Sequence, residues 1–96
     1  MTDPFMPSGD RSDLSAATSS SRIALPGWKT VRVTNTGSVT AYLRFGSSTV
    51  TAATATGLDL PAGAVETFRV PVGATHLAGI TASGSTTVGV TPGEGA

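Results

Sequence analysis

The sequence predicts an all-β protein: a small antiparallel β-sandwich or barrel of about seven strands with an extended N-terminal arm. Residues 22–92 consist of short runs rich in Val, Thr, Ala, Leu and Phe, separated by Pro-Gly or Asn-Thr-Gly turns. Several of these runs alternate polar and apolar residues, which is the pattern of a strand with one buried face. Apart from a possible single turn within residues 10–18, no segment has the period of an amphipathic helix.

The N-terminal segment differs from the rest of the chain. Residues 1–20 show no periodic apolar pattern and contain two prolines that favour extended backbone, so we predict an arm there and a β domain over residues 21–96. The large apolar side chains of the arm, predicted as anchors in a partner's pocket, are Phe5, Met6 and Leu14. The alternatives are that the arm folds over its own domain or that it is disordered.

The clearest prediction within the β domain is a hairpin around its second turn. Two alternating runs flank residues 35–38 (NTGS), where Asn and Gly tolerate positive φ, so the pattern predicts a hairpin over residues 31–45. Arg32, Tyr42 and Arg44 fall on the polar face of that hairpin. Because Arg and aromatic residues are enriched at interfaces, we predict that these three form one docking surface.

The remaining predicted strands are short and each is bounded by turn residues. They cover residues 22–25, 28–34, 58–60, 65–70, 75–82 and 86–90. Residues 49–56 carry one sizeable apolar group and predict a weak edge strand or a loop. Two segments, 61–64 and 71–74, repeat a Pro-x-Gly formula that predicts type I turns, with Pro second and Gly fourth. Gly79 predicts a bulge between two apolar residues that are out of phase.

Composition limits the kind of partner. Charged residues make up 12% of the chain and the net charge is zero, so we predict no nucleic-acid or membrane partner. A small domain without cysteine has no disulfides to stabilise it, which favours a homo-oligomer or a lattice-bound protein. Outward strand positions hold Thr, Ser, Gly and Ala, which are suited to burial against neighbouring subunits. We expect no secretory signal and no membrane span.

Few residues are candidates for catalysis. Asp59 and Glu66 flank one turn, but each is more simply a surface residue near a strand end. His76 follows Thr75, and adjacent residues of a strand point to opposite faces, so a nucleophile pair is not expected. The sequence therefore predicts no enzyme, no metal site and no cofactor.

Trp28 is the aromatic residue with two interpretations. It follows a Pro-Gly turn at the start of a strand, where an aromatic side chain can close the end of a sandwich core. The other interpretation is a stacking platform for a sugar or a partner loop, with Tyr42 as the second aromatic.

Two segments carry a family resemblance. The segment VRVTNTGSVTAYLRFG (Val31–Gly46), followed by LDLPAGAVETFRVPVGATHLAGITASG (Leu58–Gly84), resembles small virion structural proteins of tailed bacteriophages and gene-transfer particles. Those proteins pair a VTNTG-type hairpin with a PAG-x-x-E-x-F strand and an Ala/Gly-rich strand that ends near PGEG. The resemblance covers most of residues 29–95 and excludes the arm.

The resemblance implies a non-enzymatic β-sandwich located in the virion and assembled in the bacterial host cytoplasm. One implied role is a capsid decoration (cement) protein that docks on the major capsid protein lattice or on other virion proteins, with its arm threaded into the shell. The other is a small head- or tail-spike or fibre component that binds a receptor or carbohydrate.

Overall fold

The chain folds as two antiparallel sheets packed face to face. The computed structural model describes residues 9–93 in full and the backbone of residues 6, 7 and 94. Within those residues it contains no helix and the following strands: β1 (Met6–Pro7), β2 (Ser12–Ala16), β3 (Ser21–Ala24), β4 (Thr30–Asn35), β5 (Ala41–Gly46), β6 (Leu58–Leu60), β7 (Val65–Arg69), β8 (His76–Ile80) and β9 (Thr86–Glu94). The predicted all-β class is confirmed.

The strand order defines the topology. Sheet A has β1 and β2 along one edge of β9, followed by β4 and β7, and sheet B has the order β3-β8-β5-β6. From β2 onward the chain changes sheet at every connection except the one from β5 to β6. Since β1 and β2 share one edge, each sheet is four strands wide. This order is that of a jelly roll, a sandwich built from two Greek keys.

The hairpin predicted over residues 31–45 is wrong. β4 pairs with β7 and β9 in sheet A, whereas β5 pairs with β6 and β8 in sheet B. The facing of the side chains was nevertheless predicted correctly, since Val31, Val33 and Leu43 are buried between the sheets. Alternation determines which side chains of a strand face the core, but it does not determine which strand lies beside it.

The connection between β4 and β5 depends on a buried amide. Asn35 is 0% exposed, and its Nδ2 donates to the carbonyl oxygens of Val39 (2.8 Å) and Leu60 (2.9 Å). Its Oδ1 accepts from the Thr86 hydroxyl (2.6 Å) and the backbone N–H of Gly37 (3.1 Å). Positive φ is not the reason for the turn, because no residue between 35 and 38 has one. The side chain of Asn35 instead holds the chain as it crosses between sheets.

The two Pro-x-Gly turns differ from their predicted type. The backbone N–H of Ala64 donates to the carbonyl of Pro61 (3.0 Å), and Ala74 donates likewise to Pro71 (3.0 Å). Proline is therefore first in each turn and glycine third, at Gly63 with φ +79° and at the equivalent glycine of the second turn with φ +89°. A positive φ at the third position is the requirement of a type II turn. The two turns close opposite ends of β7.

Part of the predicted arm belongs to the sandwich. β2 pairs with residues 86–90 of β9, and it places Leu14 (1% exposed) and Ala16 (0% exposed) in the core. The helical turn considered for residues 10–18 is wrong, because residues 12–16 form this strand. Leu14 is accordingly a core residue and not a partner-binding one. Phe5 lies outside the described residues, and only the backbone of Met6, which pairs with Glu94, is described.

The core lies between the two sheets and draws on both. Its buried members are Leu14, Ala16, Leu25, Val31, Val33, Ala41, Leu43, Leu60, Val70, Leu77, Val88 and Val90. Phe45 of sheet B meets Phe68 of sheet A edge to face, with ring centroids 6.0 Å apart. The bulge predicted at Gly79 is absent, since β8 pairs in continuous register; a Cβ there would lie 2.8 Å from Leu14 Cδ2. The glycine provides room for the facing leucine.

Replacing Asn35 by Ala should lower the free energy of unfolding by about 3–5 kcal/mol, because several polar groups lose their partner and each costs about 1–3 kcal/mol. Urea denaturation followed by circular dichroism measures this. Thr36→Ala is the control, since it removes an exposed hydrogen bond to the Thr87 carbonyl and should cost less than about 1 kcal/mol. An equally small loss for Asn35→Ala would contradict the structural role of the amide.

Replacing Leu14 by Ala should cost about 2–5 kcal/mol of stability, the usual range for a buried leucine. The exposed neighbour Ser15 provides the control, since Ser15→Ala should stay within about 0.5 kcal/mol.

Removing residues 1–20 altogether should prevent folding, because β2 is lost with its core side chains. A truncated chain with native near-ultraviolet circular dichroism would show that the sandwich is complete without β2.

Candidate partner-binding surfaces

The three residues predicted as one docking surface lie on opposite sides of the molecule. Arg32 is exposed on the outer face of sheet A, because its neighbours Val31 and Val33 face the core. Tyr42 and Arg44 lie on the outer face of sheet B, with Tyr42 half-buried and Arg44 exposed. Stacked sheets are about 10 Å apart, so these side chains cannot meet one flat partner surface. The error follows from the incorrect hairpin.

The outer face of sheet A is rich in threonine. Five outward positions on β4, β7 and β9 are half-buried threonines: Thr30, Thr34, Thr67, Thr87 and Thr91. Arg32 lies between Thr67 and Thr91 in the register of the sheet. We call the outer face of sheet A the threonine face. Its short, β-branched side chains lose little rotamer entropy when a partner covers them, unlike Lys or Glu.

Near its β2 edge, the threonine face has a charged border. The Arg11 side chain lies across Gly89, where a Cβ would be 2.5 Å from Arg11 Cδ. Arg11 also pairs with Asp13 at 2.9 Å, and both side chains are about half exposed. An ion pair this exposed contributes about 0–1 kcal/mol to stability. The pair neutralises that border locally, and the other charged side chains on the face are Arg32 and, opposite Thr30, Arg69.

The outer face of sheet B is partly covered by the protein's own chain. The loop of residues 47–57 contacts Gly46 of β5 through Val50 and reaches Ser20, whose Oγ accepts the Ala52 N–H at 2.9 Å. β8 lies between those two contacts, so the loop passes over it. Residues 49–56 form this loop rather than a strand, one of the two predictions made for them. The threonine face is therefore the more open of the two.

A row of basic residues remains accessible on sheet B. Arg22 and Arg44 are both exposed and lie in register on either side of Ala78, which is 0% exposed although it faces outward. Arg44 also lines an open cleft of about 340 Å³ with the first part of the 47–57 loop. This row carries positive charge, but the covering loop limits the area that a partner could bury.

Trp28 lines a second cleft at one end of the sandwich. The turn before β4 contributes Gly27, Trp28 and Lys29, the segment from Arg69 to Ala74 forms the other wall, and the volume is about 320 Å³. Trp28 is half-buried and packs against the core, so it both closes the core and lines the cleft. We call this the Trp28 cleft. Tyr42 is not part of it, so the predicted two-aromatic platform is not formed.

The walls of the Trp28 cleft are held by backbone hydrogen bonds and carry positive charge. The N–H of Val70 donates to the carbonyl of Lys29 at 2.7 Å, which ties the two walls together. Lys29 and Arg69 are exposed, and neither has a carboxylate within ion-pair distance among residues 9–93. Val72, at the tip of one wall, is fully exposed. The cleft thus combines an aromatic side chain, two cations that have no ion-pair partner among residues 9–93, and the exposed apolar side chain of Val72.

The acids and the histidine considered for catalysis are not brought together. Asp59 lies opposite Tyr42 and His76 lies opposite Gly46, which are four residues apart on β5 and so separated by about 13 Å. Glu66 lies in the other sheet. His76 Nδ1 does meet the Thr75 hydroxyl at 2.8 Å, contrary to expectation, because Thr75 precedes β8 and is not restricted to strand facing. These four side chains do not form a catalytic group.

Comparisons of the chain with protein-family models, with curated proteins and with solved structures give no match. Among residues 9–93, whose side chains are described, there is no cluster of three or more metal-ligating side chains. The same part of the chain has no helix long and apolar enough to cross a membrane. The geometry of the two surfaces therefore provides the main argument for function.

The charges around Trp28 can be tested by fluorescence quenching, because Trp28 is the only tryptophan. Lys29 and Arg69 should concentrate anions near the ring, so at low ionic strength the ratio of iodide to caesium quenching should exceed that of free N-acetyltryptophanamide by at least about twofold. Arg69→Gln should reduce that ratio, while Arg22→Gln on sheet B should not. A ratio for the unaltered protein no larger than that of N-acetyltryptophanamide would contradict a cationic cleft.

Proposed function

We propose that this protein is a non-enzymatic structural protein of a tailed-bacteriophage virion, a capsid decoration (cement) protein that docks on the major capsid protein lattice. The observation that carries the proposal is the threonine face, an open sheet surface of short threonine side chains with the exposed Arg32 and Arg69 among them. Threonine positions need less desolvation than charged ones when a protein partner covers them, and arginine is among the residues enriched at interfaces. The sequence resemblance described above points to the same class of protein.

The fold supports the proposal by analogy. Jelly rolls occur among viral capsid proteins, and also among lectins and cupins, so the topology alone does not select a function. The resemblance was based in part on a VTNTG-type hairpin. In the structure, the VTNTG segment crosses between the two sheets and does not form a hairpin. The PAG-x-x-E-x-F segment does run from a turn into β7.

The size of the threonine face favours attachment at many sites. Four strands spaced about 4.8 Å apart and about five residues long give an area of roughly 300 Å². A stable interface buries about 800 Å² on each partner. The backbone footprint of one face is smaller than that accessible area, although side chains add to it, and a homo-oligomer or a repeating lattice would add many such contacts together.

The location of the protein on particles tests the proposal. Antibodies against the protein, used for immunogold electron microscopy of phage or gene-transfer particles from the bacterium that encodes it, should label the heads at many sites. Labelling only at the tail tip would favour the spike or fibre alternative. Protein found only in the soluble cell extract, with no labelled particles, would contradict both.

The contribution of the threonine face can be separated from the location of the protein. Thr34→Lys places a charge near the middle of the face and should reduce the copies per particle by at least about tenfold, since 1.4 kcal/mol of lost binding corresponds to that factor. Ser83→Lys, in the exposed turn between β8 and β9, is the matched control and should keep full occupancy. Quantitative mass spectrometry of purified particles measures both, after circular dichroism confirms that each variant is folded. Equal occupancy would exclude this face as the docking surface.

The second candidate is a small head- or tail-spike or fibre component that binds a receptor or carbohydrate. The Trp28 cleft favours it, because an aromatic side chain beside exposed polar groups at the end of a rigid sandwich can contact a ligand outside the particle. The two candidates use adjoining surfaces that meet at Arg69, which lies opposite Thr30 of the threonine face and also lines the cleft.

A further inference from the structure

We propose that the Trp28 cleft binds an acidic saccharide, a sugar that carries a carboxylate. This inference deepens the second candidate function by naming the class of ligand. It concerns the free protein, and so it can be tested apart from the location of the protein on a particle.

Trp28 provides the stacking surface. Its ring is half-buried against the core, which fixes its position, and the remaining surface lines the cleft. A sugar ring has a face of C–H groups that can cover an aromatic ring without leaving a polar group unpaired. Because packing already holds the ring, little conformational entropy is lost when a ligand binds.

Lys29 and Arg69 provide the charge selectivity. Both line the cleft and are exposed, and neither has an ion-pair partner among residues 9–93. They are also close in the fold, since Arg69 lies opposite Thr30, which follows Lys29. A guanidinium can bind a carboxylate through two parallel hydrogen bonds, and an ammonium adds a point charge. A ligand with one carboxylate could meet both cations while its ring contacts Trp28.

The backbone around the cleft favours a sugar over an acidic peptide. An extended peptide usually gains affinity by adding a strand to a free sheet edge. Here the walls include tight turns, and their N–H groups are already used: Trp28 donates to Leu25, Val70 to Lys29, and Ala74 to Pro71. These N–H groups cannot pair with a peptide backbone, whereas the side chains that line the cleft remain accessible.

The fluorescence of the single tryptophan provides a direct assay. The intact protein is titrated with trigalacturonate, with the neutral trisaccharide galactotriose and with the acidic peptide triglutamate, at low ionic strength. Trigalacturonate should give a saturable change in Trp28 emission that weakens as salt is added. Galactotriose and triglutamate should each bind at least about tenfold more weakly, which corresponds to the loss of one charge-assisted contact or of the stacking contact.

Variants assign the effect to the cleft. Arg69→Gln and Lys29→Gln should each weaken trigalacturonate binding by about tenfold, whereas Arg22→Gln on sheet B should leave it unchanged. Trp28→Phe keeps an aromatic ring against the core and should bind trigalacturonate more weakly. Because this variant has no tryptophan, its binding is measured by calorimetry after circular dichroism confirms folding.

Three results would overturn the inference. Equal binding of galactotriose would remove the requirement for a carboxylate, and tighter binding of triglutamate would favour a peptide. Absence of a saturable response to trigalacturonate would exclude an acidic saccharide as the ligand. Each leaves the decoration proposal intact, because that proposal depends on the threonine face and on particle labelling.

Discussion

The sandwich depends on the buried amide of Asn35. Its side chain joins the β4–β5 crossing to the ends of β6 and β9, and its backbone bonds to Gly63 and Ala64 in the β6–β7 turn. One residue therefore holds together both sheets at one end of the molecule. The arrangement is stable because every hydrogen-bonding group of the amide has a partner; a half-satisfied buried amide would cost more free energy than an apolar side chain. Within the residues whose side chains are described, no buried side-chain nitrogen or oxygen lacks a partner.

The Asn35 network and the Trp28 cleft lie at opposite ends of the molecule. The Asn35 network occupies the end formed by the β4–β5, β6–β7 and β8–β9 connections. The Trp28 cleft lies at the other end, where the β3–β4 and β7–β8 turns meet, and the threonine face runs along the outside of sheet A. Both surfaces are therefore built on strands and turns that the core fixes in place.

The sequence predicted the facing of side chains better than the pairing of strands. Alternation placed Val31, Val33 and Leu43 in the core correctly, and it placed Arg32 and Arg44 outward. Their grouping on one surface was wrong because β4 and β5 belong to different sheets. Residues 12–16 also have a two-residue period, with Leu14 and Ala16 on one face, but this run is too short to distinguish a strand from an irregular polar segment. Trp28 was a candidate from its position after a turn, whereas Arg69 was brought beside Trp28 and its sequence neighbour Lys29 only by the fold.

By itself, the sequence determined the all-β class, most strand positions and the side of each strand that is buried, because these depend on a two-residue period and on local turn chemistry. Only the tertiary structure decided the strand order, the place of β2 at an edge and the residues of each surface. Those features depend on contacts between distant parts of the chain, such as the hydrogen bond from Thr86 to Asn35 across 51 positions. A local pattern does not encode such a contact, since the same alternation is compatible with many neighbours. The role of Asn35 shows the difference: its position in a turn was readable, but its four side-chain partners required the fold.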